Sequence, residues 1–300
     1  MGRNIIRDKN REKLLKHILK EVKIKELEKR KKMGKEAEII WRRGEMIGSH
    51  LYCYSLAHRT MTLAKEYIER SYLNGRVPYS GTVFIAEMLT EAKGRYQRDW
   101  YASLGGLWFT LLLYPEIDPP YIHLYPLVVG IACCEALREI GIKAYIKWVN
   151  DLIVDNYKIG GILTETYISS HKEAYLLFGI GINVNNKIHP NLDIPAISVK
   201  NVIGRSYNID FFFCLIIVKL IWYIGLLHDA EIKKDTKEII KLFTEYSNTV
   251  GRIVYYGEDL KKNRGELVEV LDIDSYGGLN IRFCQKGEIA TVYTGELKYV

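Results

Sequence analysis

Residues 145–165 read Y-I-K-W-V-N-D-L-I-V-D-N-Y-K-I-G-G-I-L-T-E, and the fold turns on how this stretch is punctuated. Tyr145 to Trp148, Asp151 to Val154 and Ile159 to Thr164 are short β-branched or aromatic runs, separated by Asp155-Asn156 and by Gly160-Gly161. That spacing predicts a hairpin of buried strands. Lys147 and Lys158 flank an Asn150-Asp151 pair, and two cations in one cleft can hold the oxygens of a carboxylate and of phosphates. A Gly-Gly step lets a ligand approach the main chain because no Cβ intervenes. Taken alone, the same hairpin reads more readily as a solvated turn.

Working outward, Leu107 to Leu113 is an apolar run, and residues 121–140 place Leu124, Leu127, Val128, Ile131, Ala132, Ala136, Leu137 and Ile140 at helical spacing before Gly141. Ala174 to Ile182 reads as a buried strand closing in G-I-G-I-N-V-N at Gly179–Asn185. Further upstream, Leu51 to Leu56 alternates like a strand, Thr60 to Ser71 reads as a helix and Val83 to Glu87 as a short strand. Next comes a segment with Lys93, Gly94, Arg95 and Arg98 between Leu89 and Trp100. A cationic loop around a glycine suits a nucleotide phosphate, and serves equally as a plain surface loop. Phe211 to Leu227 is nearly all apolar, yet Lys219 sits at its centre, where membrane insertion costs roughly 2.5 to 3.5 kcal/mol. A buried core helix is the expectation. From Thr249 the pattern changes to short strands around 252–256, 267–272, 279–283 and 289–293 with tight turns, which predicts a separate small barrel.

The 300 residues carry a net charge of +7, with 16 Lys and Arg against 7 Asp and Glu in residues 1–43 and 27 against 29 in the remainder. The basic character therefore belongs to the amino-terminal arm. Residues 8–36 read as one charged helix with a stripe at Leu14, Leu15, Ile18, Leu19, Val22 and Leu27. It can be a basic helix for an acidic surface or, by the stronger expectation, a solvated arm that packs its stripe on the body or on a second copy. No helix-turn-helix is legible after it. Cys53, Cys133, Cys134, Cys214 and Cys284 contain no C-x-x-C, and the histidines show no zinc spacing. Reduced thiols, no leader segment and a cytoplasmic location are expected.

The order of the motifs is more specific than any one of them. Ala86-Glu87, then Lys93-Gly94-Arg95, Trp100 with Gly105-Gly106-Leu107, Lys147-Trp148-Val149-Asn150-Asp151, Lys158-Ile159-Gly160-Gly161-Ile162-Leu163 and Gly179 to Asn185, followed by a small barrel, resemble the biotin protein ligase family over about residues 50–300. The resemblance implies an α+β fold: a mixed sheet flanked by helices, of the biotin/lipoate ligase and class II synthetase-like type, plus a small C-terminal Src homology 3-like β-barrel. The implied domains are a basic helical arm (1–45), a catalytic domain (46–247) and the barrel (248–300). The winged-helix repressor domain of some family members is not recognised.

The resemblance also implies two half-reactions. Biotin and ATP, with Mg2+, give biotinyl-5′-adenylate; a lysine of a biotin carboxyl carrier protein then attacks it. Lys158, Arg95, Asp151 and Lys147 are the implied catalytic residues, with Lys158 on the carboxylate and α-phosphate and Asp151 taking or orienting the acceptor lysine's proton. Thr60, Lys93, Gly94, Trp100, Asn150, Gly161, Gly179 and Asn183 are the implied binding residues, Asn150 also touching metal indirectly. Lys93 and Arg95 are expected to close over the adenylate. A homodimer is left open, and no membrane partner is expected. A lipoate or other acyl ligase, or a non-catalytic paralogue that binds adenylate or carrier, are the alternatives. This chain departs from the family at Arg59 (usually Ser), Leu89 (usually Gln), Ala92 (usually Gly) and Val149 (usually Pro). The first two remove polar contacts to the acid, worth roughly 1 to 3 kcal/mol each.

Overall fold

The computed structural model describes residues 5–189 and 194–300. The strands of the body are β1 (Ile6–Arg7), β2 (Leu51–Ala57), β3 (Thr82–Leu89), β4 (Leu107–Leu113), β5 (Tyr145–Lys147), β6 (Asp151–Val154), β7 (Tyr157–Ile168) and β8 (Ala174–Ile182). They form one sheet in the order β1-β2-β3-β4-β8-β7-β6-β5. β2 and β3 pair in parallel, and the other ladders are antiparallel. The parallel pair is joined by a crossover helix, α3 (Thr60–Leu73), as such a pair requires.

Alternation along the strands gives the sheet two apolar faces. Phe84, Ala86 and Leu177 meet Met61, Ala64 and Ile68 of α3 on one face. Val83, Ile85 and Phe109 meet the helical layer on the other: α1 (Lys9–Lys31), α2 (Ala37–Gly44), α4 (Tyr125–Glu139) and α6 (Ile209–Lys233). The short helices α5 (Val199–Ile203) and α7 (Lys237–Tyr246) complete the body. Two stretches, Pro119–Glu139 and Ile209–Lys233, are long and apolar enough to cross a membrane by length and composition. The apolar window of the second is 83% buried within the fold, as a core helix would be.

The amino-terminal segment is part of this layer. Asp8 caps α1 by accepting hydrogen bonds from the Asn10 and Arg11 amides, and Leu15, Leu19 and Val22 are buried. Charged residues of α1 are buried too. The ammonium of Lys219, fully enclosed in α6, donates to both oxygens of Glu26 at 2.8 Å and to Glu139 at 2.6 Å. Arg30 donates to Glu26 at 2.7 Å and to Glu135 at 2.6 Å, and lies over the Trp222 ring.

The expected single helix over 8–36 stops at Lys31 and restarts as α2. The restart lets α2 cross α6 with backbones touching: a Cβ on Gly44 would sit 1.9 Å from the Ile221 carbonyl oxygen, and one on Gly225 2.0 Å from that of Ile40. Gly160-Gly161, expected as a break, lies inside β7.

The carboxy-terminal strands are β9 (Ile253–Gly257), β10 (Glu266–Ile273), β11 (Leu279–Phe283), β12 (Ile289–Val292) and β13 (Glu296–Tyr299). They form an antiparallel five-stranded sheet in the order β12-β11-β10-β9-β13, consistent with a Src homology 3-like module. Val254, Val268, Val270, Ile273, Leu279, Ile281 and Leu297 are buried in it.

Candidate active site

β6 and β7 meet in register Asp151↔Gly161 and Leu152↔Gly160, with an irregularity before Ile153↔Lys158. That irregularity brings Lys158 back toward Asp151, and its ammonium lies 2.6 Å from the Asp151 carboxylate, both side chains being less than one-fifth exposed. The Lys158 ammonium also stands 5.2 Å from the centre of the Trp100 ring. Trp100 in turn lies on glycines. A Cβ on Gly161 would fall 3.3 Å from Lys158 Cε and 3.6 Å from Trp100, and one on Gly181 would fall 3.1 Å from Trp100 Nε1. The missing methyl groups make the floor on which lysine and indole rest.

The indole N–H of Trp100 is buried and has no hydrogen-bond partner. A buried unpaired donor costs free energy, and the Trp148 indole N–H in the hairpin is in the same condition. Asn150 is fixed at the hairpin tip: its side-chain amide donates to the Ile162 carbonyl at 3.1 Å, and the Ile162 amide donates to the Asn150 carbonyl at 2.9 Å. Lys147 lies opposite Asp151 across β5 and β6. Burial lowers the Lys147 pKa below its usual value, Asp151 pulls it back in part, and the Lys158 charge lowers it again.

Thr60, Gly179 and Lys158 lie on one face of the sheet. Thr60 and Thr110 are joined through their hydroxyls at 2.8 Å, and a Cβ on Gly179 would meet Met61 of α3 at 3.1 Å. Asn183 is buried at 7% exposure and accepts from the Asn186 side chain at 3.0 Å, bracing the turn that follows β8.

The loop between β3 and β4 points elsewhere. Lys93 pairs with Asp99 within the loop, and the Gly94 amide donates to the Arg98 carbonyl at 2.8 Å. Arg95 donates to the Gly295 carbonyl at 2.7 Å, and Arg98 pairs with Asp259 at 2.5 Å and with Glu296. The Tyr96 hydroxyl donates to the Glu258 carbonyl. Arg95, expected over the adenylate, therefore lies on the carboxy-terminal sheet in this structure, because that sheet offers carbonyl and carboxylate acceptors. The same sheet braces the hairpin: the Trp148 amide donates to Thr249 Oγ1 at 3.1 Å, and Lys147 stands 5.3 Å from the Tyr299 ring centre.

Asp259, Glu296, Thr249 and Tyr299 were not legible as site neighbours, since nothing local marks them. A cavity of about 540 Å³ whose lining does not include Lys158 opens between β2 and α3; two of its three arginines, Arg7 and Arg70, are paired with Glu12 and Glu66, and Arg76 is the third.

A mixed sheet with a lysine–carboxylate pair on a glycine floor makes a site that can hold a small anion. The comparisons narrow it. Residues 55–183 match the model of the biotin/lipoate A/B protein ligase family. The bifunctional ligase/repressor BirA of Bacillus subtilis is 34% identical over 170 residues, covering 55% of this chain and 50% of that protein. The biotin–protein ligase of Homo sapiens is 27% identical over 232 residues, 71% of this chain and 30% of that one. Among solved structures, the biotin protein ligase of Aquifex aeolicus in complex with biotin and ATP superposes with a TM-score of 0.68 and 25% identity, over 83% of this chain and 98% of that one. Residues 55–183 thus carry a domain similar to those of the biotin/lipoate A/B protein ligase family. The chain spans half the length of the Bacillus relative and less than a third of the human one.

Proposed function

We propose that the protein joins biotin to ATP as biotinyl-5′-adenylate and passes the biotinyl group to a lysine of a biotin carboxyl carrier protein in the cytoplasm. The observation that carries this reading is the Lys158–Asp151 pair beside the unpartnered Trp100 N–H on a floor of glycines. A carboxylate entering there takes over Lys158 and supplies an acceptor for the indole. The acid's oxygen attacks the α-phosphorus, the bond to pyrophosphate breaks, and Lys158 offsets charge on the oxygens in flight. Lys147, close behind, adds a second cation.

Asp151, relieved of Lys158 by the adenylate, is then free to take the proton of the acceptor amine as that nitrogen attacks the acyl carbon and AMP leaves. Magnesium fits as the companion of ATP. No group of three His, Cys, Asp or Glu that could hold a metal ion occurs among the described residues, and Asn150 and Asp151 offer one amide and one carboxylate, so the ion would be held chiefly by phosphate and water. It would supply charge neutralisation on the phosphates. Biotin-dependent ATP–pyrophosphate exchange tests the reading. Exchange with biotin is expected; exchange with lipoate or octanoate and none with biotin overturns it.

A further inference from the structure

Strand β1 pairs with β2 through Arg7 and Tyr54 and makes the edge of the sheet one wall of the cavity of about 540 Å³ beside α3. The floor of that cavity is aromatic. Tyr52, Tyr67 and Phe84 are in mutual ring contact, with centroids 5.2 to 5.6 Å apart, and Leu63 and Ile5 extend the apolar surface.

Three guanidinium groups reach the cavity from three elements: Arg7 from β1, Arg70 from the last turn of α3 and Arg76 from the loop beyond it. They are held differently. Arg7 is fixed, because it donates to both oxygens of Glu12 at 2.6 and 2.9 Å and stands 4.6 Å from the centre of the Tyr52 ring. Three of its five donors remain. Arg70 holds Glu66 by one bond at 3.1 Å, with its side chain 74% exposed, and a surface pair of this kind is worth about 0.2 to 1 kcal/mol. Among the described residues the Arg76 guanidinium has neither a hydrogen bond nor an ion pair, and the Tyr54 hydroxyl has no hydrogen bond. Burial raises the Tyr54 pKa, so that hydroxyl keeps its proton and can donate.

Glu66 is the one acid in the lining, and Glu12 behind Arg7 offsets one more charge. The carbonyls at the end of α3, which would repel an anion, are occupied: those of Arg70, Ser71 and Tyr72 accept from the Asn74, Arg76 and Gly75 amides. A cation would meet three guanidinium groups. A wholly apolar molecule would leave Arg76 and Tyr54 without an acceptor. A carboxylate offers two oxygens in one plane, whereas a phosphate monoester offers three that diverge and can use donors arriving from separate elements. A planar body on that ester would cover the aromatic floor.

We propose that this cavity is a second binding site, for a small phosphate monoester with a planar ring, held by Arg7, Arg76 and Tyr54, with Arg70 joining as it leaves Glu66. Neither Lys158 nor Trp100 lines it, and the proposal does not rest on the ligase reading.

The test is calorimetric titration of the full chain, at fixed ionic strength, with phenyl phosphate, inorganic phosphate and phenylacetate. The proteins are the wild type, Arg76→Gln, Tyr54→Phe and Lys158→Ala, each shown folded by an unchanged thermal transition. Phenyl phosphate is expected to bind the wild type, about tenfold or more weaker in Arg76→Gln and several-fold weaker in Tyr54→Phe. Its affinity for Lys158→Ala should stay within about twofold, and inorganic phosphate and phenylacetate should bind the wild type at least about tenfold more weakly. No heat with phenyl phosphate at millimolar concentration overturns the proposal. So does binding that is lost in Lys158→Ala and kept in Arg76→Gln, or inorganic phosphate or phenylacetate binding as tightly as phenyl phosphate.

Discussion

The hairpin that carries Lys158 and the loop that carries Arg95 are both cationic, yet they are held in opposite ways. Lys158 stands on a strand laddered on both sides, and Gly160 and Gly161 pair with Ile182 and Gly181. Its geometry is set by backbone hydrogen bonds before any ligand arrives. The loop has a few bonds of its own and is otherwise moored by Arg95, Tyr96 and Arg98 to the carboxy-terminal sheet. Moorings of this kind, partly exposed ion pairs and single hydrogen bonds, are worth about 0.2 to 1 kcal/mol each. The hairpin is thus built in advance, while the loop is held by contacts that can be released one at a time.

The contrast is testable from its strongest side. Asp151→Asn leaves Lys158 in place and removes the base, so exchange should persist while transfer from preformed adenylate to a carrier domain falls about 100-fold or more. Equal loss in both half-reactions would remove Asp151 from the proton step. Gly181→Ala crowds Trp100 without a change of backbone region, because the alanine Cβ would lie 3.1 Å from the indole nitrogen. Its cost of roughly 1 to 3 kcal/mol should appear as an acid KM raised about tenfold or more, read by exchange kinetics.

On the loop side, Glu296→Gln combined with Asp259→Asn cuts the Arg98 mooring. Proteolysis between residues 93 and 99 should speed up several-fold while exchange changes by no more than about threefold. An unchanged digestion rate would show that the mooring does not hold the loop.

The smallest effect concerns pH. Burial holds the Lys147 pKa below 10.5, so its charge is lost, as pH rises, earlier than in an ordinary lysine. If that charge assists phosphate, the alkaline limb of the exchange profile lies below 10.5, and Lys147→Arg, which stays protonated, shifts it upward. A limb that does not move in Lys147→Arg assigns it to another group.

The same contrast explains what could be read from the sequence. Lys147, Asn150, Asp151, Lys158 and Gly161 lie on one hairpin, so their grouping follows from local spacing. Trp100 and Gly181 come together only through the pairing of β4, β8 and β7, which the motif order implies without showing the contact. Arg95 was legible as a cation on a loop but not in its direction, because its acceptor, the Gly295 carbonyl, lies 200 residues away. Glu26 and Arg30 read as a solvated face for the same reason: their shared partner network includes Lys219, 193 residues after Glu26. Gly160-Gly161 reads as a break by local rules, whereas in β7 it is the place where close neighbours replace the side chain.

The most direct measurement is capture of the intermediate. Wild-type protein mixed with biotin and ATP, quenched and analysed by mass spectrometry, should contain biotinyl-5′-adenylate. Lys158→Ala, shown folded by an unchanged thermal transition, should contain at least about a hundredfold less. Wild-type amounts of adenylate in that variant would contradict the account of the hairpin as the preformed wall of an acyl-adenylate site.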